Sequence, residues 1–256
     1  MISSLSLAPF ASHLLLELDP QAENKYEKTW QSIHHLRQNI INDGADHLLL
    51  LSPQTHSNAH TLGLAQHKNY TVSLQKLGGQ EQTEKIKGDL ALNYRLKEKL
   101  ESLNILALET RELSLLENAG LHFFWPVIKK LKFMPFVIRH TDAAKLFSWG
   151  HIMGNALADF SEKIALVGLI ELSFPANKML AGLAHKCDQR VIEALKTNEP
   201  KKLIKALSLE YSAVKDGSRG VVIFMMGITQ NLPGHWEILS NELVAGQRTL
   251  TAQWQF

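Results

Sequence analysis

Residues 47–53 read His-Leu-Leu-Leu-Leu-Ser-Pro. Four consecutive leucines without polar alternation mark a strand buried on both faces, as in the middle of a parallel sheet. Upstream, Ile2–Ala8 is a β-prone run stopped by Pro9. Between the two, Ala22–Asn42 has helical periodicity, with Tyr26, Trp30, Ile33, Arg37 and Ile40 or Ile41 on or near one face. Asn42-Asp43-Gly44 closes that helix, with glycine where helices commonly stop. Strand, helix, strand is a βαβ unit, and such crossovers are right-handed.

The alternation continues along the chain. Ser52–Asn69, polar and rich in His, Asn and Gln, reads as a loop at a strand's carboxyl end. Tyr70–Gln75 reads as a strand, Lys76–Gly88 as a charged connection, Asp89–Ser102 as a helix and Ile105–Leu108 as a strand. Leu113–Leu131 is mixed and holds the aromatic run Phe123-Phe124-Trp125, whose ordinary role is core, with an interface as the alternative. Strands follow at Phe136–Arg139 and Ile164–Leu172. Helices follow from the cap at Thr141 or Asp142 to about Phe160, from Pro175 to about Thr197, and over Pro200–Leu207. Gly220–Ile228 fits either a helix or a strand. Glu237–Val244 and Arg248–Gln255 alternate around Ala245-Gly246 as a hairpin. The expected fold is a single α/β domain over residues 1–256: a doubly wound, mostly parallel sheet with helices on both faces and an antiparallel C-terminal hairpin. Ligands of such sheets bind beyond the strands' carboxyl ends, here the loops after Ala8, Ser52, Arg139 and Leu172.

Composition narrows the function classes. The 256 residues carry 27 basic and 25 acidic side chains, and a net charge of +2 gives no footprint for nucleic acid. The longest apolar stretches, Ile164–Ile170 and Val221–Ile228, fall short of the ~18 residues of a membrane span. No basic residue precedes the first apolar stretch, so no secretory signal is expected. The single cysteine, Cys187, suits a reducing compartment, and the expected location is the cytoplasm. Dinucleotide and nucleoside-triphosphate glycine loops, the Gly-x-Ser-x-Gly elbow and His-Glu-x-x-His are all missing from the sequence. Cys187 lies mid-helix beside Lys186; packing is its ordinary role, and an activated thiolate the alternative. Twelve histidines include His13, His56, His60, His122 and His140, near strand ends, where imidazoles from separate loops could gather a metal. Solvated loop histidines are the commoner outcome.

Several stretches, in order along nearly the whole chain, resemble the LigB-like superfamily, which comprises the class III extradiol ring-cleavage dioxygenases, the Memo-like proteins and the AmmeMemoRadiSam B-like proteins. The resemblance rests on Ala8-Pro9-Phe10-Ala11-Ser12, Leu50-Leu51-Ser52-Pro53-Gln54-Thr55-His56, Ile170-Glu171-Leu172-Ser173-Phe174, and Lys215-Asp216-Gly217-Ser218-Arg219 before Gly220–Ile228. It implies a fold of the kind derived above and, in the family's enzymes, Fe(II) held by two histidines and a glutamate. The same correspondence places Phe10 and Gln54 at the two histidine positions and Lys215 at the carboxylate, or Asp216 after a one-residue shift. Phe174 takes the place of the base. The Memo-like Glu-His-Ser-x-Glu segment corresponds roughly to Asn118-Ala119-Gly120-Leu121-His122 and is lost. A phenyl ring has no lone pair for a metal and cannot move a proton.

The expectation is therefore a LigB-like protein with an emptied site, acting as a non-catalytic binding or interaction protein and holding no cofactor. The former-site pocket is expected to comprise Phe10, His13, Gln54, His56, His122, Glu171, Phe174, Lys215 and Asp216. Its partner would be a small molecule or a protein, and the family's habit of association implies a homo-oligomer. The alternative is a metal-dependent dioxygenase acting on a catechol-like aromatic, with ligands relocated to His13, His56, His60 or His122 and Asp216 or Glu171. A metal-free enzyme using Lys215, Asp216 or Glu171 as acid or base is a third reading.

Overall fold

The structure is a computed structural model that describes residues 1–16, 18–53, 62–73, 75, 83–108, 112–138, 142–172, 181–210, 218–244 and 246–256. The first strand, β1 (Ile2–Pro9), is followed by two helices where the sequence suggests one. Tyr26 (φ −126°, ψ 49°) separates α1 (Ala22–Lys25) from α2 (Glu27–Asn42). Then come β2 (His47–Pro53), β3 (Leu62–Ala65), β4 (Asn69–Ser73), β5 (Thr83–Lys87), α3 (Leu90–Lys99) and β6 (Leu106–Leu108). The chain continues through α4 (Leu115–Phe123), α5 (Trp125–Ile128), β7 (Lys132–Ile138), α6 (Ala143–Ala158) and β8 (Ile164–Ile170). It ends with α7 (Ala181–Thr197), α8 (Pro200–Glu210), α9 (Ser218–Ile228), β9 (His235–Val244) and β10 (Gln247–Gln255).

Eight strands form one sheet in the order β6-β3-β7-β2-β8-β1-β10-β9. Strands β7, β2, β8 and β1 run parallel, while β10 pairs antiparallel to β1 and to β9. This is the expected mixed α/β architecture with its antiparallel C-terminal pair. The four leucines of β2 divide between two cores: Leu49 and Leu51 face the side covered by α6 and α9, and Leu48 and Leu50 the side covered by α2 and α4. β8 divides in the same way, with Leu166 on one side and Ala165, Val167 and Leu169 on the other. Each fully buried leucine contributes on the order of 1.5–3 kcal/mol, so these strands take their position from packing on both faces.

Three features correct the sequence reading. The stretch expected as a loop contains β3, which pairs antiparallel with β7 and parallel with β6. The strand expected near Tyr70 does not join the main sheet. It pairs as β4 with β5, itself drawn from the charged connection, in a separate two-stranded sheet. Finally, β8 lies between β1 and β2, so the first βαβ unit spans an intervening strand.

Gly220–Ile228 resolves as a helix because α6 and α9 touch backbone to backbone. A Cβ on Gly150 would lie 2.0 Å from the Phe224 carbonyl oxygen, and one on Gly227 2.2 Å from that of Phe147. Phe123 and Phe124 are wholly buried, so the aromatic run serves the core. Among the described residues no helix is long and apolar enough to cross a membrane.

Candidate functional site

The parallel strands β1, β2, β7 and β8 end together, and the register fixes what meets there. Pro9 is opposite Ile170, so Phe10 and Glu171, each one residue past its strand, are neighbours. Phe10 is 6% exposed and belongs to the apolar cluster that includes Ala11, Leu14, Leu15, Tyr26 and Trp30. The backbone N–H of Glu171 donates to Ser218 Oγ at 3.0 Å, which ties the end of β8 to the start of α9.

His13 lies in a 3-10 turn over Ser12–Leu14, its ring 5.2 Å from that of Tyr26. Burial lowers its pKa from the ordinary histidine value, with nearby Asp19 acting the other way, so the ring is neutral at pH 7. Its Nε2 is buried and finds no hydrogen-bond partner among the described residues. His122, on α4, stacks on Trp125, with ring centroids 5.8 Å apart. The remaining expected site residues, Gln54, His56, Phe174, Lys215 and Asp216, lie outside the described residues, as do His60 and His140.

Two polar constellations border the strand ends. Ser52, fully buried at the end of β2, donates to Glu117 Oε1 at 3.2 Å. Glu117 also accepts from the Ser114 backbone, and Ser114 Oγ accepts from the Glu117 N–H. This reciprocal capping box holds the first turn of α4 and takes up the serine that adjoins Pro53.

The second is a buried ion cluster that the sequence reading missed. Asp188 of α7, 0% exposed, accepts from the Arg219 guanidinium at 3.2 Å, and Arg248 Nε lies 3.8 Å from its other oxygen. Arg219 is 1% exposed. Arg248 also donates to Asn241 Oδ1 at 2.6 Å and lies 3.4 Å from His185 Nδ1. It bridges Leu172, so the cluster sits beside the exit of β8. A signal was present in α7: Ala184, Cys187, Val191, Ile192 and Leu195 form its buried stripe, and Asp188 falls within it. A carboxylate on an apolar stripe requires a buried cationic partner. Cys187, 1% exposed, occupies the same packed face.

Among the described residues, no group of three or more His, Cys, Asp or Glu side chains could hold a metal ion. Phe10 offers an iron ion nothing. Among the described residues, the strand ends offer no ligand set for the Fe(II) that the LigB-like resemblance implies.

No protein-family model matches the chain, and no curated protein matches it. Among solved structures, it is similar to the crystal structure of an uncharacterized protein, JW3007, from Escherichia coli K12, with a TM-score of 0.59. The two are 12% identical, and the match covers 86% of this chain and 91% of the other. At that identity the likeness shows the fold alone.

Proposed function

We propose that this chain is a non-catalytic binding protein on a LigB-like scaffold, its partner a small molecule or a protein engaged at the strand ends. The observation that carries the reading is Phe10. At the carboxyl end of β1, where an open α/β sheet takes its ligand, the side chain is an apolar ring packed to 6% exposure. Replacing a buried charged centre by packed hydrocarbon removes a desolvation cost and leaves a scaffold free to serve recognition. Three polar pairs that border the strand ends are engaged with one another: Ser52 with Glu117, the Glu171 backbone with Ser218, and Asp188 with Arg219.

The test is elemental analysis of the purified full chain after dialysis, paired with oxygen uptake in the presence of catechol and added Fe(II). Substoichiometric iron, zinc and copper and no catechol-dependent uptake are expected. One metal ion retained per chain, or ring cleavage, overturns the proposal.

A further inference from the structure

On the other face of the sheet from Phe10, the helix layer contains a cavity of about 360 Å³. It lies among Phe147 of α6, Met226 and Thr229 at the end of α9, and Asn198, Pro200 and Lys201 at the turn from α7 into α8. The volume falls in the ~300–1,000 Å³ range of small-molecule sites. We propose that this cavity binds a small monocarboxylate with an apolar body, its hydrocarbon against Phe147 and Met226 and its carboxylate beside Lys201.

The floor is preformed. Phe147 and Met226 spring from the two helices that meet backbone to backbone, at Gly150 three residues from Phe147 and at Gly227 next to Met226. Helices in contact at that point cannot close further to fill the space, so a ligand meets an apolar surface without having to order it. Thr229 adds no polar demand to the interior, because its hydroxyl is already bonded to the Met226 carbonyl at 3.1 Å.

The mouth sets the charge. Lys202 is committed to Glu199 at 2.5 Å. Lys201 is exposed, lines the cavity and has no ion pair among the described residues. Asn198, held in the left-handed region at φ 52°, places an exposed amide at the same rim. One uncommitted cation at the mouth of an apolar cavity selects an amphipathic molecule with one negative group. It disfavours a cation or a polyanion.

The experiment is a titration of the full chain, labelled with ¹³C at the methionine methyls, with octanoate and separately with phenylacetate. The Met226 signal is assigned through Met226→Leu. Octanol and octylammonium serve as controls. At least one carboxylate is expected to move the Met226 methyl saturably, with an affinity tighter than about 1 mM. Which of the two binds distinguishes a straight-chain from an aromatic ligand. Lys201→Glu, an exposed substitution that leaves the core untouched, should weaken the carboxylate at least about fivefold and leave octanol unchanged. The proposal is overturned if neither carboxylate moves Met226, if Lys201→Glu has no effect on carboxylate binding, or if octylammonium binds equally well.

Discussion

Glu242, on the edge strand β9, reaches the first turn of α2 and accepts from both the backbone N–H and the hydroxyl of Thr29, at 2.7 and 2.6 Å. Residues 213 positions apart thus form a helix cap: a carboxylate from the sheet satisfies an amide that α2 leaves open, at the end where the helix dipole favours negative charge. Thr29 Oγ1 also lies 2.8 Å from Thr249 Oγ1, so the hydroxyl continues the link into β10. Glu242→Ala removes the acceptor from a buried threonine. It should destabilise the fold by about 1–2 kcal/mol, and Glu242→Gln by less, measured as shifts in urea midpoint at constant slope. Equal losses for the two would show that the charge, rather than the acceptor, matters.

Among the described residues, Asp188 is the carboxylate that faces the buried guanidinium groups of Arg219 and Arg248. Asp188→Asn should cost about 3–5 kcal/mol, the usual penalty for breaking a buried ion pair from one side. The measurement is equilibrium unfolding in guanidinium chloride. A loss below about 1 kcal/mol would mean that Arg219 and Arg248 reach water or another anion without it.

Asp89 ties the lower end of the sheet together. Its carboxylate accepts from Lys132 at 2.8 Å, from the Leu92 N–H at 3.0 Å and from His47 Nε2 at 3.0 Å. Burial alone would raise its pKa, but the Lys132, Leu92 and His47 hydrogen bonds and the Lys132 charge together outweigh burial and hold it well below the usual carboxylate range. A group depressed in the folded state stabilises above its unfolded pKa, and that stabilisation is lost as pH falls toward the folded value. Asp89→Asn should therefore cost stability at pH 7, and the gap to the parent should narrow below about pH 4. Urea unfolding of both proteins from pH 7 to pH 2 checks this, and a gap independent of pH would refute it.

Elements with a local signal were legible in the amino-acid order. The leucine run of β2 identifies a strand covered on both faces, Asp142 caps α6 through its bonds to Ala144 and Lys145, and the β9–β10 hairpin turns at Gly246, whose φ of 83° suits glycine. The placement of Phe10 at the end of β1 was legible for the same reason. Features that depend on distant partners emerged only from the folded chain. β3 has four residues, and only its pairing to β7 and β6 makes it a strand. The apolar run Gly220–Ile228 becomes a helix because two glycines of α6 admit its backbone. β8 enters between β1 and β2, which brings Glu171 beside Phe10. The Asp188–Arg219 pair spans 31 residues, and nothing nearer in the chain tells the aspartate which cation it will meet. Periodicity reports which face of an element is buried, while the identity of what covers that face is set by long-range packing, which no local window contains.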